Sequence, residues 1–307
     1  MECVMKKYLL LLAVVFIVLA FAVSCKSPPP PAAPAVTVSP PPPPPPPQAP
    51  EAPAVEISPP VLAVNLTPQP FSPDGDGVDD SLTVRISVNS RANIKSWRIE
   101  IREPGDFLFS EWSGDGTPPQ TFTWDGLSSS GELVQSATDY QFTLEVTTVQ
   151  NISATAKGTI QVDVLVRREA NGVLRVIVPS IMFAANKGNS SNLPSETMLA
   201  NDRILRRIAE VLNRYPTYQV MVEGHANPTT PPATQARAVE EIGNSTLLGL
   251  RPLSEERAKY VADYLINLGV AGSRLTPVGI GGIQPVAAFT DWDNWWKNRR
   301  VEFILVK

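Results

Sequence analysis

Apolar residues change their period along this chain, and that change limits the folds open to it. Between Val61 and about Val166 they recur at every second position, as in Leu82, Val84, Ile86 and Val88, Trp97, Ile99 and Ile101, and Phe142, Leu144 and Val146. Successive side chains of a strand point to opposite faces, so the alternation predicts strands with one buried and one solvated side. Gly114-Asp115-Gly116 and Ser128-Ser129-Ser130-Gly131 supply turns, and no helical period interrupts the series. An all-β antiparallel sandwich is expected there. Past residue 167 the period lengthens. Met198, Leu205, Ile208, Ala209 and Leu212 share one helical face, and Val261, Tyr264, Leu265 and Leu268 share another. Short apolar runs at Leu174–Val178, Tyr218–Val222, Leu275–Gly279 and Val301–Val306 read as strands. The order β-α-β-α-β-β predicts an α+β layer, a mixed sheet with its helices on one face.

The two ends are different again. Lys6 and Lys7 precede an apolar run from Tyr8 to Val23, shorter than the ~20 residues a membrane-spanning helix needs, which predicts an export signal over residues 1–24. Glu2 and Cys3 are odd for a basic leader, which points to Met5 as the start of translation. Ala22-Val23-Ser24-Cys25 resembles a relaxed bacterial lipobox, with Ala22 where leucine is usual, so Cys25 is the expected lipidation site. From Ser27 to Pro60 the chain is mostly proline and alanine, unbroken proline from Pro40 to Pro47. Proline lacks a backbone donor and favours the extended polyproline conformation. At ~3.1 Å per residue this spacer reaches on the order of 100 Å. The chain is thus expected to be multidomain: a leader over 1–24, a lipid anchor and linker over 25–60, a β-sandwich over 61–166 and an α+β domain over 167–307.

Charge and cysteine use exclude several functions. A net charge of −4 and a pI near 5.2, with no basic stripe, argue against a nucleic-acid partner. Cys3 and Cys25 both precede the expected domains, so no disulfide framework holds them. His225 is the one histidine of the chain, and no nucleophile–base pair or metal cluster accompanies it; the chain reads as a binding protein, not an enzyme.

One constellation in the last third carries the functional reading. A strand runs into Glu223-Gly224-His225-Ala226-Asn227; Leu253-Ser254-Glu255-Glu256-Arg257-Ala258 opens a helix ending near Leu268-Gly269-Val270; a glycine-rich exit follows Arg274; and the chain closes on Asn298-Arg299-Arg300-Val301-Glu302-Phe303-Ile304. From about Val173 to Lys307 this order and spacing resemble the C-terminal domain of the OmpA family, shared by porin-like proteins, peptidoglycan-associated lipoproteins and flagellar stator proteins. The resemblance implies non-covalent binding of the peptidoglycan stem peptide, with Arg257 gripping its diamino acid. The chain departs from the family at Asn227, where aspartate pairs with the ligand's ammonium, and at Leu250, where asparagine is usual. By a looser resemblance, Trp124-Asp125-Gly126 through Tyr140 is similar to the Ig-like module of flagellar hook-cap and bacterial surface proteins and implies a spacer or interaction module.

Each feature has a plainer reading beside it. Ser254 sits where a helix N-cap belongs, which would put Arg257 in the first turn, where dipole and guanidinium together suit a carboxylate; otherwise Arg257 is a surface arginine paired with Glu223 or another acid. The long segment from Pro228 to Pro252 is a lid or a new contact surface, or else a tolerated loop. Trp292, Trp295 and Trp296 either stack on sugar rings or pack a short helix, the second being preferred. His225 is expected to orient a turn. Asp74, Asp76, Asp79 and Asp80 are read as a solvated turn, with Ca²⁺ as the alternative, since the spacing is not that of an EF-hand. Together these predict an outer-membrane lipoprotein facing the periplasm and tethered to peptidoglycan, with other envelope proteins as further partners. The rivals are an OmpA-like scaffold or adhesin that has lost wall binding, and a wall hydrolase using carboxylate pairs.

Overall fold

The computed structural model describes residues 58–244 and 248–307. Cys25, the leader and most of the linker lie outside the described residues.

The alternating segments form two antiparallel sheets. In chain order the strands are β1 (Val61–Thr67), β2 (Leu82–Asn89), β3 (Ile94–Glu103), β4 (Phe107–Asp115), β5 (Thr121–Trp124), β6 (Asp139–Thr148) and β7 (Ser153–Gln161). They pair in the orders β1-β2-β5 and β4-β3-β6-β7. Leu82, Val84 and Ile86 from one sheet meet Ile99, Ile101, Tyr140, Phe142 and Leu144 from the other in a single apolar cluster. Period two decides which side chains enter it: in β6 every second residue from Tyr140 to Thr148 is buried. Trp124 closes one end, its indole N–H donating to the Leu127 carbonyl at 2.8 Å.

The third sheet is mixed and lies in a region built from the elements β8 (Arg167–Arg168), β9 (Leu174–Val178), α1 (Ser195–Arg214), β10 (Gln219–His225), α2 (Gln235–Ile242), α3 (Leu250–Asn267), β11 (Leu275–Gly281), α4 (Trp295–Asn298) and β12 (Val301–Val306). Its strand order is β11-β10-β12-β9-β8. Only β10 and β11 are parallel neighbours; β9 and β10 also point the same way, joined through α1, but β12 lies antiparallel between them. Alternate residues Val176, Val178, Val220, Val222, Val301 and Phe303 pack against Leu205, Ile208 and Leu212 of α1 and Val261 and Leu265 of α3. The opposite face carries charge: Glu302 accepts from Arg300 at 2.6 Å and also pairs with Arg175. Burial works to raise the Glu302 carboxyl, but Arg300 and its neighbours overcome this and hold it below the usual range.

Three expectations are corrected. From β9 onward the order is β-α-β-α-α-β-α-β, because Gln235–Ile242 is a helix inside the long segment after Pro228 and the short α4 precedes the last strand. Thr234 caps it by accepting from the Arg237 amide at 3.1 Å, and Arg237 and Glu241 both bond to Gly282, so the segment is neither a loose loop nor a free lid. Second, α3 starts at Leu250 behind Gly249, and Ser254 is not its cap. Pro252 fits in the first turn, where its missing N–H costs nothing. The buried Ser254 hydroxyl instead donates to the Arg251 carbonyl at 2.9 Å and accepts from the Gly281 amide at 2.8 Å, fastening helix to sheet. Glu255 and Glu256 therefore lie beyond the first turn, which holds no acid. Third, Met198 is on the solvated side of α1, 42% exposed.

The seam between the two cores is polar. Lys297, almost wholly buried, reaches Glu132 at 2.7 Å and Glu103 at 3.1 Å, while Arg207 pairs with Asp163. Burial raises the Glu103 carboxyl despite Lys297. The Ser180 hydroxyl donates across the seam to the Ala137 carbonyl at 2.7 Å.

Gly224 sets how closely α3 lies on β10. A Cβ there would stand 2.0 Å from the Ser254 carbonyl oxygen, a backbone atom that cannot step aside. Gly224→Ala is expected to cost about 1–3 kcal/mol by overpacking, which lowers the thermal midpoint by several degrees in a circular-dichroism melt. An unchanged midpoint would show that the helix backs away freely.

Candidate functional site

Arg257 enters the site from the middle of α3. It stands seven residues beyond Leu250, about 10 Å along the axis, so the helix N-terminus does not share its ligand. The side chain is only 8% exposed. Its Nε donates to the Lys187 carbonyl at 3.2 Å, and its guanidinium lies 5.0 Å from the centre of the Phe183 ring. Burial, and then repulsion from Arg299, push its pKa down to about 10. Among the described residues no carboxylate forms an ion pair with it, so the plainer reading of a surface arginine paired with Glu223 is not what the structure shows. Glu223 faces His225 instead, at 3.5 Å. At neutral pH the guanidinium remains charged, largely desolvated, and next to a second cation.

Asn227 follows β10 directly, on the bend where Ala226 bonds to the Gly281 carbonyl at 2.8 Å. Its amide oxygen accepts from Asn298 Nδ2 at 2.9 Å, and its nitrogen donates to the Pro228 carbonyl at 3.2 Å. Asn298 is fully buried and also accepts from the amides of Val286 and Ala287. The chain therefore links Asn227 to Asn298, and through its neighbour Arg299 to Arg257. Arg257 and Arg299 line a cleft of about 900 Å³ whose walls do not include Asn227. Asn298 and Arg299 were visible in the closing motif, but nothing in sequence spacing assigned them to the site. Phe183, which carries Arg257, lies in a segment without periodicity and left no signal.

His225 is 1% exposed and lies 3.5–3.6 Å from Glu223 and Glu302, on the strand rather than in a turn. Trp295 and Trp296 belong to α4, but Trp292 precedes it and is 73% exposed, which corrects the expectation that all three pack a helix.

The aspartate turn closes on itself. Asp80 accepts from the amides of Gly75 and Gly77 at 2.8 and 2.7 Å, Asp76 from Val78 at 2.8 Å, and Asp74 from Val166 at 3.2 Å. Asp74, Asp76 and Asp80 gather together, whereas Asp79 does not join them. Burial raises the Asp74 carboxyl. Four of the six carboxylate oxygens accept from backbone amides, while the buried Asp74 Oδ1 has no partner among the described residues.

This arrangement is a mixed sheet under two helices, with an arginine lining a cleft. Residues 187–299 match the OmpA family, so the C-terminal region of the chain is an OmpA family domain. The peptidoglycan-binding protein ArfA of Mycobacterium tuberculosis is 34% identical over 106 residues, 34% of this chain and 28% of that protein. A peptidoglycan-associated lipoprotein of Mesorhizobium japonicum is 38% identical over 96 residues, 31% of this chain and 48% of that protein. The chain spans between about a quarter and a half of these relatives' lengths. Among solved structures, a putative MotB-like protein from Desulfovibrio vulgaris is 26% identical, with a TM-score of 0.35 over 44% of this chain and 76% of that one.

Proposed function

We propose that the protein tethers the cell envelope to the wall by binding a peptidoglycan stem peptide without covalent chemistry, with Arg257 holding a carboxylate of its diamino acid. The observation that carries this is the uncompensated charge. Burying a cation without a partner is costly, and Arg257 is both desolvated and set against Arg299. An anionic ligand removes that cost, and a guanidinium pairs with a carboxylate through two parallel hydrogen bonds. The names of the relatives, a peptidoglycan-binding protein and a peptidoglycan-associated lipoprotein, agree with this ligand.

In this reading the protein is not an enzyme. Cys25 carries the lipid in the outer membrane, residues 25–60 cross the periplasmic gap, and the two sheets of residues 61–166 are an Ig-like spacer. Two or three acyl chains give stable anchoring where one is marginal. Asn227 is a weaker partner for the ligand's ammonium than aspartate, because its oxygen is neutral and already accepts from Asn298. That observation favours one alternative, a scaffold that has lost wall binding.

Purified sacculi separate the two. The wild-type protein is expected to be retained, and Arg257→Met to be released. The same substitution removes a buried unpaired charge, so the unliganded protein should gain about 1 kcal/mol of stability and melt roughly 2–4 °C higher. Retention of Arg257→Met would overturn the assignment, and no retention of the wild type would leave the scaffold reading. Asn227 lies outside the walls of the cleft, so Asn227→Asp is expected to tighten binding of a diaminopimelate-containing peptide, up to roughly tenfold, where the ligand's ammonium extends past the cleft to the loop after β10; calorimetric titration reads this directly.

A further inference from the structure

The cleft is larger than the ligand just assigned to it. Its volume of about 900 Å³ lies near the top of the range for small-molecule sites, and one carboxylate beside Arg257 fills a small part. The remaining wall is mixed, with Asp139, Asp293, Arg203 and Arg207 among its charged residues, and its aromatic part comes from both halves of the structure. Trp292, Trp295 and Trp296 line one side, and Phe107, on the hairpin joining β3 to β4, lines another. The Trp292 and Trp295 rings are nearly parallel, 17° apart with centres at 5.3 Å, so Trp295 backs the Trp292 ring. Trp292 is nonetheless 73% exposed, an indole held flat without a core to fill. Trp296 adds a second unfinished group, since its buried indole N–H has no hydrogen-bond partner among the described residues.

We infer that this aromatic wall binds the amino-sugar backbone of the glycan strand that carries the stem peptide, with Trp292 as the stacking platform. The inference rests on the stem-peptide reading above. A pyranose ring presents C–H groups on one face, which pack on a flat aromatic ring, and hydroxyls at its rim, which stay hydrated. Covalent attachment supplies the proximity: three residues of extended peptide span about 10 Å, so a diamino acid held by Arg257 brings its own sugar within the length of the cleft. Phe107 gives the β-sheet half a part in recognition beyond spacing.

Calorimetric titration of the full chain with a free stem tripeptide, and with the same tripeptide on its disaccharide, tests this. The wild-type protein is expected to bind the disaccharide form roughly three- to tenfold more tightly, the range for one aromatic stacking contact. Trp292→Ala should abolish that difference and leave tripeptide affinity unchanged, while Trp292→Phe should keep part of it. Equal affinity of the wild type for both ligands, or a disaccharide advantage surviving in Trp292→Ala, would overturn the glycan site and leave the stem-peptide reading intact. Failure of the wild type to bind the tripeptide at all would overturn both.

Discussion

A guanidinium held out of water, with no acid paired to it among the described residues, is the constraint around which the C-terminal domain is arranged. Arg257 stays in place because Phe183 covers one face of it and the Lys187 carbonyl fixes its Nε. The helix that carries it is pinned at two points nearby. Gly224 lets α3 touch the sheet backbone, and the Ser254 hydroxyl ties the helix interior to Gly281 at the end of β11. Neither contact faces the cleft, yet each fixes the depth at which the guanidinium stands. Stability given up at such a site is commonly recovered by its ligand.

The surrounding segments give the site its particular shape. The helix inserted after Pro228 packs through Arg237 and Glu241 onto Gly282, stiffening the exit of the strand beside which Asn227 turns. Two consecutive residues of α4 face different ways: Lys297 binds the acids Glu103 and Glu132 of the β-sheet half, while Asn298 holds Asn227. A shift of one half against the other would therefore be felt at the loop after β10 and along the aromatic wall.

Much of this was legible in the sequence, for reasons particular to each element. Leu174–Val178 and Val301–Val306 are strands with the bounds that their apolar runs suggest, because no competing period overlaps them. The helices were readable from Leu205, Ile208 and Leu212 and from Val261 and Leu265, but their ends were not. Ser254 has the chemistry of a cap and is used for a buried tertiary bond; single-residue preferences cannot tell these apart, since both exploit a short hydroxyl near backbone. Gln235–Ile242 escaped because it is short and its buried side chains are Arg237 and Glu241, while its apolar residues Val239 and Ile242 stay exposed. Arg257 was legible as a residue of interest, but its lack of an acid partner, which gives it meaning, is a three-dimensional fact.

The most direct test of the account compares two stem peptides that differ only at the diamino acid's carboxylate, free in one and amidated in the other, titrated against the intact protein. Hydrogen bonds to charged groups contribute about 1.5–3 kcal/mol, so amidation is expected to weaken binding at least roughly tenfold. Equal affinity for the two peptides would contradict the claim that Arg257 is held unpaired for a carboxylate.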